Sequence, residues 1–233
     1  MEKKMSVAAL VCVTFLIGCG ILSAGLGQIA KNPRTVSVRG LAEREVDADT
    51  AVWKLSFSVG GNDLPLLKKE VLRQTEIVCA FLKENGLDES DFSILSPEVN
   101  DASMSLYVDP NRRIYQYISK NNILVRSSKI SAVKEASSKT LELIGKGVSV
   151  CNEYDNRVSY EFNGLNEIKP EMIAQATKNA RLAAEQFARD SGSKVGKIMN
   201  ATQGLFSIDN AATGLEDKKN VRVVTTVVYS IRN

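Results

Sequence analysis

Carboxylates, four cysteines and a few aromatic and basic side chains are what this chain offers for chemistry, because its 233 residues include no histidine. That absence removes the commonest general base, the commonest metal ligand and the usual partner of a Ser or Cys nucleophile. Glu43, Glu45, Asp47 and Asp49 recur at every second position, so in an extended strand they share a face. Oxygen ligands of this kind suit calcium or magnesium. Arg39 and Arg44 lie nearby, however, and no calcium-loop spacing occurs. The row therefore reads as a solvated strand face, with Asp49 shaping the first hairpin turn. Cys79 and Cys151 are the cysteines beyond the N-terminal segment. They either pair in an oxidising compartment or stay as buried free thiols, and a redox-sensing role is the third reading. Tyr115 and Tyr117, preceded by Arg112 and Arg113, read as residues packed in a sheet, with an RNA-stacking strand as the alternative. Lys218, Lys219 and Arg222 read as a solvated basic loop, with contact to phospholipid headgroups as the alternative. No residue is assigned a catalytic, cofactor-binding or metal-binding role, and the chain is expected not to be an enzyme.

Elements must hold these residues in place, and the hydrophobic pattern indicates which. Val36 and Val38 alternate with polar residues before Gly40, and Trp53, Leu55, Phe57 and Val59 alternate with Lys54, Ser56 and Ser58, the period of half-buried strands. A helix follows, opened by Asn62 or Asp63 and Pro65, striped by Leu64, Leu67, Val71, Val78, Phe81 and Leu82, and closed at Asn85-Gly86. Strands are expected over 92–99 and 114–126, joined at Asp109-Pro110-Asn111. A second helix from about Ser131 carries Val133, Ser137, Thr140, Leu141 and Ile144. A third round has strands over 148–154 and 158–162. Its helix begins at Pro170, a favoured first-turn residue, and presents Ile173, Ala176, Thr177, Ala180, Ala183, Ala184 and Phe187. Strands at 195–206 and 221–231 flank a polar loop at 207–220. The order is ββα-ββα-ββα-ββ, an α+β fold in which helices cover one face of an antiparallel sheet. Residues 34–233 read as one domain with room for two lobes.

Residues 1–33 are different in kind. After Lys3 and Lys4, no charged side chain occurs from Met5 to Ala30. As a helix, that stretch would reach about 39 Å at ~1.5 Å per residue, and a bilayer core of roughly 30 Å needs about 20 residues. An uncleaved membrane anchor is the leading reading. A cleaved signal with Ser23-Ala24-Gly25 as its site is the second. A lipid-bearing Cys19 in Leu16-Ile17-Gly18-Cys19 is the third. Each sends the rest of the chain across a bacterial inner membrane, and the two lysines favour a cytoplasmic N-terminus. The remaining chain is nearly neutral, the whole carrying a formal +3, which argues against a nucleic-acid partner.

Several segments together resemble the SIMPL-domain proteins of bacterial envelopes. They are Thr35-Val36-Ser37-Val38-Arg39-Gly40-Leu41-Ala42-Glu43-Arg44-Glu45-Val46, then Ala48-Asp49-Thr50-Ala51-Val52-Trp53, Ser56-Phe57 and Gly61-Asn62-Asp63-Leu64. Tyr115-Gln116-Tyr117, Ala174-Gln175-Ala176, Ala180-Arg181-Leu182-Ala183-Ala184 and Ser191-Gly192 continue the likeness, which covers about 34–231. The resemblance implies an envelope protein of open biochemical function. Members are linked to oxidative-stress defence, one is a surface antigen of pathogens, some assemble into ring- or channel-like homo-oligomers, and a mammalian member is a signalling adaptor. It implies no catalytic residues. The expectation is a single-pass inner-membrane protein whose external domain self-associates or binds envelope partners. A small-ligand carrier, a carboxylate-dependent enzyme, and a secreted or lipid-anchored form are the alternatives.

Overall fold

The computed structural model describes residues 34–101, 115–151 and 156–232. The apolar stretch 5–30, Cys19, the Asp109-Pro110-Asn111 turn, Arg112 and Arg113 lie outside them. No helix among the described residues is long and apolar enough to cross a membrane.

The fold is mixed α+β with antiparallel sheets. In chain order the strands and helices are β1 (Thr35–Asp47), β2 (Thr50–Gly61), α1 (Leu64–Glu84), β3 (Phe92–Ile94), β4 (Glu98–Asp101), β5 (Tyr117–Ser127), α2 (Ile130–Ser138), α3 (Leu141–Gly145), β6 (Ser159–Glu161), α4 (Leu165–Asp190), β7 (Lys194–Gln203), β8 (Ser207–Asn210) and β9 (Lys218–Arg232). Two sheets form where one was expected. One has the order β1-β9-β7, with β8 also on β9; the other has the order β3-β5-β2-β6, with β4 also on β5. The described residues fall into two compact units. One takes in residues up to Ala42, Ile173–Leu205 and those from Val223 on; the other is Glu43–Met172 with Phe206–Arg222.

In the second unit, β2 and β5 pair antiparallel from Ala51↔Ser127 to Gly61↔Tyr117. Alternation does the rest. Trp53, Leu55, Phe57 and Val59 on β2 join Ile123 and Val125 on β5 in a core closed by Val78, Phe81 and Leu82 of α1, Val133 and Ala136 of α2, and Leu143 of α3. The helices thus cover one face of this sheet. Helix α1 starts as its sequence implies: Asp63 caps it, accepting the Leu66 N–H at 2.9 Å, and a proline occupies its first turn. It ends at Asn85, with Gly86 at a φ of 86°, a left-handed position that costs glycine little. Two expected stripes shift. Leu64 is exposed, and Leu141 and Ile144 are exposed while Ala136 and Leu143 are buried. The reason is that the second helix breaks at Lys139 and restarts at Leu141, so a single 3.6-residue period does not run through it.

In the other unit, alanines set the packing distance. Ala176, Ala180 and Ala184 are fully buried on α4, four residues apart, and Ala180 and Ala184 pack with Val36, Val227 and Tyr229. Ala183 and Phe187, expected on that stripe, face solvent instead, because the buried row follows a spacing of four. Gly40 of β1 is required here: a Cβ would overlap the Ala176 carbonyl oxygen and the Ala180 backbone nitrogen. The Asn179 amide also donates to the Leu41 carbonyl at 2.7 Å.

Three further expectations are corrected. β1 and β2 are not a hairpin; they belong to different sheets, and the Ala48 N–H pairs with the Asp217 carbonyl. The 207–220 loop contains β8, which pairs with β9 from Ser207↔Arg222 to Asn210↔Lys219. Helix α4 begins at Leu165 and carries Pro170 inside it. Proline lacks one N–H, so a short helical lead-in before it loses a single bond. The expected 148–154 strand is reduced, among described residues, to a bridge between Phe57 and Val150.

Candidate functional site

Among the described residues the pairing along β2 is interrupted, and a pocket lies beside the interruption. β6 pairs with β2 only at Thr50–Val52. Further on, Ser58 N–H donates to the Ser149 carbonyl and Cys151 N–H donates to the Ser56 carbonyl. Along one edge of an antiparallel strand, backbone groups face outward at every second residue. Lys54, two before Ser56, therefore turns its N–H and C=O toward the gap, where no described strand pairs with it. A cavity of about 400 Å³ fills this gap. Its walls include Trp53, Lys54, Ser56, Leu141, Ile144 and Cys151.

A buried polar cluster forms its floor. Ser56 is fully buried, and its Oγ lies 2.7 Å from Asn122 Oδ1 and 2.9 Å from Asn156 Oδ1. The Asn156 amide donates to the Cys151 carbonyl, and Ser58 Oγ lies 3.1 Å from Cys151 Sγ. Sequence alternation placed Ser56 on a solvated face. The chain returning at Asn156 covers it, a long-range contact that no local pattern reports. The Cys151 thiol meets a hydroxyl there, and no carboxylate lines the cavity among the described residues. The arrangement can bind by hydrogen bonds, positive charge and apolar contact.

The other candidate residues lie elsewhere. Both Cys79 and Cys151 are free thiols, so the pairing left open by the sequence does not form. Burial pushes the Cys79 thiol up, against the opposing pull of Lys83, the reverse of what a reactive thiolate needs. Glu43, Glu45 and Asp47 do share a strand, and what they meet is the basic group itself. Arg222 lies 3.5 Å from Glu43, and Lys218 lies 3.7 Å from Glu45 and 2.8 Å from Asp47. Lys218, Lys219 and Arg222 thus belong to β9 and not to a loop. No cluster of metal-ligating side chains occurs among the described residues.

Asp49 stands apart from that row. Its carboxylate accepts the backbone N–H groups of Asn163 (2.6 Å) and Gly164 (2.9 Å), just before α4, as well as the Asn163 amide and the Thr50 hydroxyl. Burial would raise its pKa, but those donors outweigh it and hold the carboxyl below its ordinary value. Asp49 therefore ties the start of β2 to the α4 N-terminus and does not shape a hairpin turn. Tyr115 is half exposed beside Gly60.

A second, open groove of about 790 Å³ runs from Gly60 along α1. Two of its charges, Glu70 and Arg73, are paired with each other. Arg73 holds Glu70 through two contacts of 2.9 and 2.6 Å, and with Gln74 lowers the Glu70 carboxyl to about 2.

No curated protein matches the chain. A family model does, over residues 36–229 and so over well more than half of the sequence: the match is to SIMPL, described as a protein of unknown function (DUF541). The span takes in all of the strands and helices above except the ends of β1 and β9, and the chain belongs to the SIMPL family.

Proposed function

We propose that this SIMPL-family chain is a non-enzymatic protein of the bacterial envelope. Residues 5–30 hold it in the inner membrane, and its external domain self-associates or binds envelope partners in the service of stress resistance. The observation that carries this reading is β7. Among the described residues the strand pairs only with β9 and so forms a sheet margin. Every residue from Lys197 to Gln203 is exposed. Register shifts between Val195 and Ile198 and between Ile198 and Asn200 leave Ile198 and Met199 side by side, 52% and 53% exposed. A strand margin paired on one side only, with Ile198 and Met199 exposed on it, can act as a template for a further chain. The non-catalytic part rests on the missing histidine and on a pocket thiol whose neighbour is a hydroxyl instead of a base.

Light scattering on a protein beginning at residue 32 tests the association. A mass of two or more chains is expected, and a strict monomer at high concentration removes the claim. The intact mass of the membrane-fraction protein tests the anchor: a species starting at Met1 supports it, and one starting at a diacylated Cys19 replaces it with lipid.

A further inference from the structure

We propose that one end of the sheet ordered β1-β9-β7 rests on a bilayer surface and is held there by anionic phospholipid headgroups. The proposal rests on the reading that residues 5–30 lie in that bilayer, and it adds a contact of the folded domain that an anchor alone does not require.

Register brings the charges together. The Ile231 N–H donates to the Arg34 carbonyl at 2.7 Å, and Arg232 is the register partner of Lys194. Arg34, Arg232 and Lys194 therefore stand at one level at the ends of three neighbouring strands, within roughly 10 Å at a strand spacing of about 4.8 Å. Lys197 follows on β7, where its carbonyl accepts the Ser230 hydroxyl. Helix α4 delivers a fifth basic residue. Gly192 takes a φ of 68°, and the Ser193 N–H donates to the Ala188 carbonyl at 2.7 Å. The chain thus turns sharply from Arg189, in the last turn of the helix, into Lys194. All five basic side chains are exposed.

Charge and chain connection name the partner. Across the segments that meet here, 34–36, 186–198 and 229–232, those five basic residues face one acid, Asp190. The undescribed flanks, 31–33 and 233, bring Lys31 and no acidic side chain. Just upstream, Glu185 is already held by Arg181 at 2.8 Å. The acids of β1 begin at Glu43, nine positions beyond Arg34, about 30 Å along an extended strand. That is some three times the roughly 10 Å over which salt screens exposed charges. The uncharged stretch ends at Ala30, and the four residues on to Arg34 reach at most about 14 Å. With 5–30 in a bilayer, the basic end of the sheet therefore starts beside the headgroups, whose negative charge draws each nearby Lys or Arg. Phe187, 54% exposed in the last turn of α4, supplies an apolar side chain for the headgroup layer. Positive charge beyond the membrane does not oppose export here, because long domains cross largely regardless of charge.

The full chain is placed in nanodiscs of phosphatidylcholine, alone or with about one-third phosphatidylglycerol. Its lysines are acetylated with a neutral ester, and each rate is read by mass spectrometry. Lys194 and Lys197 should react at least three-fold slower in the anionic discs, whereas Lys68 and Lys69, exposed on α1, should react alike in both. About 0.5 M salt should erase the difference, and Arg189→Gln with Arg232→Gln should at least halve it. Equal rates in the two discs, all four lysines slowed together, or a difference that survives salt or the double variant overturns the proposal. Glycerol phosphate added to neutral discs should change nothing; equal protection by it overturns the lipid surface in favour of a soluble phosphate. The disc comparison needs no variant, so a misfolded mutant does not shield it, and contact between copies enters both rates alike. Retention by neutral discs in high salt reads the anchor separately. A chain that leaves them yet shows the lipid-dependent protection sinks the anchor alone. One retained in both discs with equal rates sinks the headgroup contact alone.

Discussion

At the scale of single residues, this molecule's polar side chains mostly tie distant parts of the chain together. Asp49 is the clearest case, since one carboxylate collects two backbone N–H groups and two side-chain donors. A group whose folded pKa is depressed contributes stability that is complete above its unfolded value, about 3.9, and lost as pH falls through the folded value. Asp49→Ala should therefore lower stability at pH 7 by about 1 kcal/mol, typical of a lost capping group. The gap to the parent protein should close as pH drops below about 4. Urea midpoints measured at pH 7 and pH 3 check this, and a gap that does not narrow in acid would refute it. Ser56 makes the complementary case in the interior. Ser56→Ala removes the one hydroxyl between Asn122 Oδ1 and Asn156 Oδ1. Stranding a buried acceptor costs roughly 1–3 kcal/mol, so a loss of that size is expected in the same assay. Asn122→Ala in the Ser56→Ala background should add less than it does alone, because the two share the interaction.

At the scale of elements, the close approach of β1 to α4 rests on what is missing from two side chains. Gly40 has no Cβ and its opposite numbers are alanines. Gly40→Ala should destabilise by at least the ~1–3 kcal/mol of an overpacked core, since backbone atoms and not flexible side-chain ends would have to move. A thermal midpoint unchanged by Gly40→Ala would mean that the strand and helix are not packed this closely. These elements also show what the sequence makes legible. β2 and α1 announce themselves because their signals are local: a two-residue alternation through Trp53, Leu55, Phe57 and Val59, then Asp63, Pro65 and a closing Asn85-Gly86. The order of α and β elements through α2 follows for the same reason, except that the single strand expected over 92–99 is split into β3 and β4. What fails is whatever depends on a partner far along the chain. β1 and β2 look like a hairpin, yet each finds a better partner, β9 and β5, beyond the reach of any turn signal. Pro170 looks like a helix start, but the lead-in from Leu165 follows Asn163 and Gly164, whose N–H groups the Asp49 carboxylate takes. The pocket was invisible because Asn156 and Ser56, a hundred residues apart, cover each other.

At the scale of the whole molecule, the acidic and basic residues that suggested metal or lipid contact cancel one another along β1 and β9. Paired and exposed ions of this kind contribute little stability, so that stretch offers neither a strong field nor an unmet charge. Among the apolar side chains left exposed, Ile198 and Met199 are neighbours on a strand that, among the described residues, pairs on one side only. If association runs through that margin, placing charge there should separate chains without unfolding them, as lysines on natural sheet edges do. Ile198→Lys with Met199→Lys is the test. Because both side chains are about half exposed, the double variant should change stability by no more than roughly the 0.5 kcal/mol per site usual for surface changes, and so leave the thermal midpoint nearly where it is. Its mass by light scattering should fall to that of one chain across the concentrations at which the parent associates. A double variant that stays associated with an unchanged midpoint would move the contact away from β7. One that falls apart only where it also unfolds would show that the margin serves the fold instead of the partner.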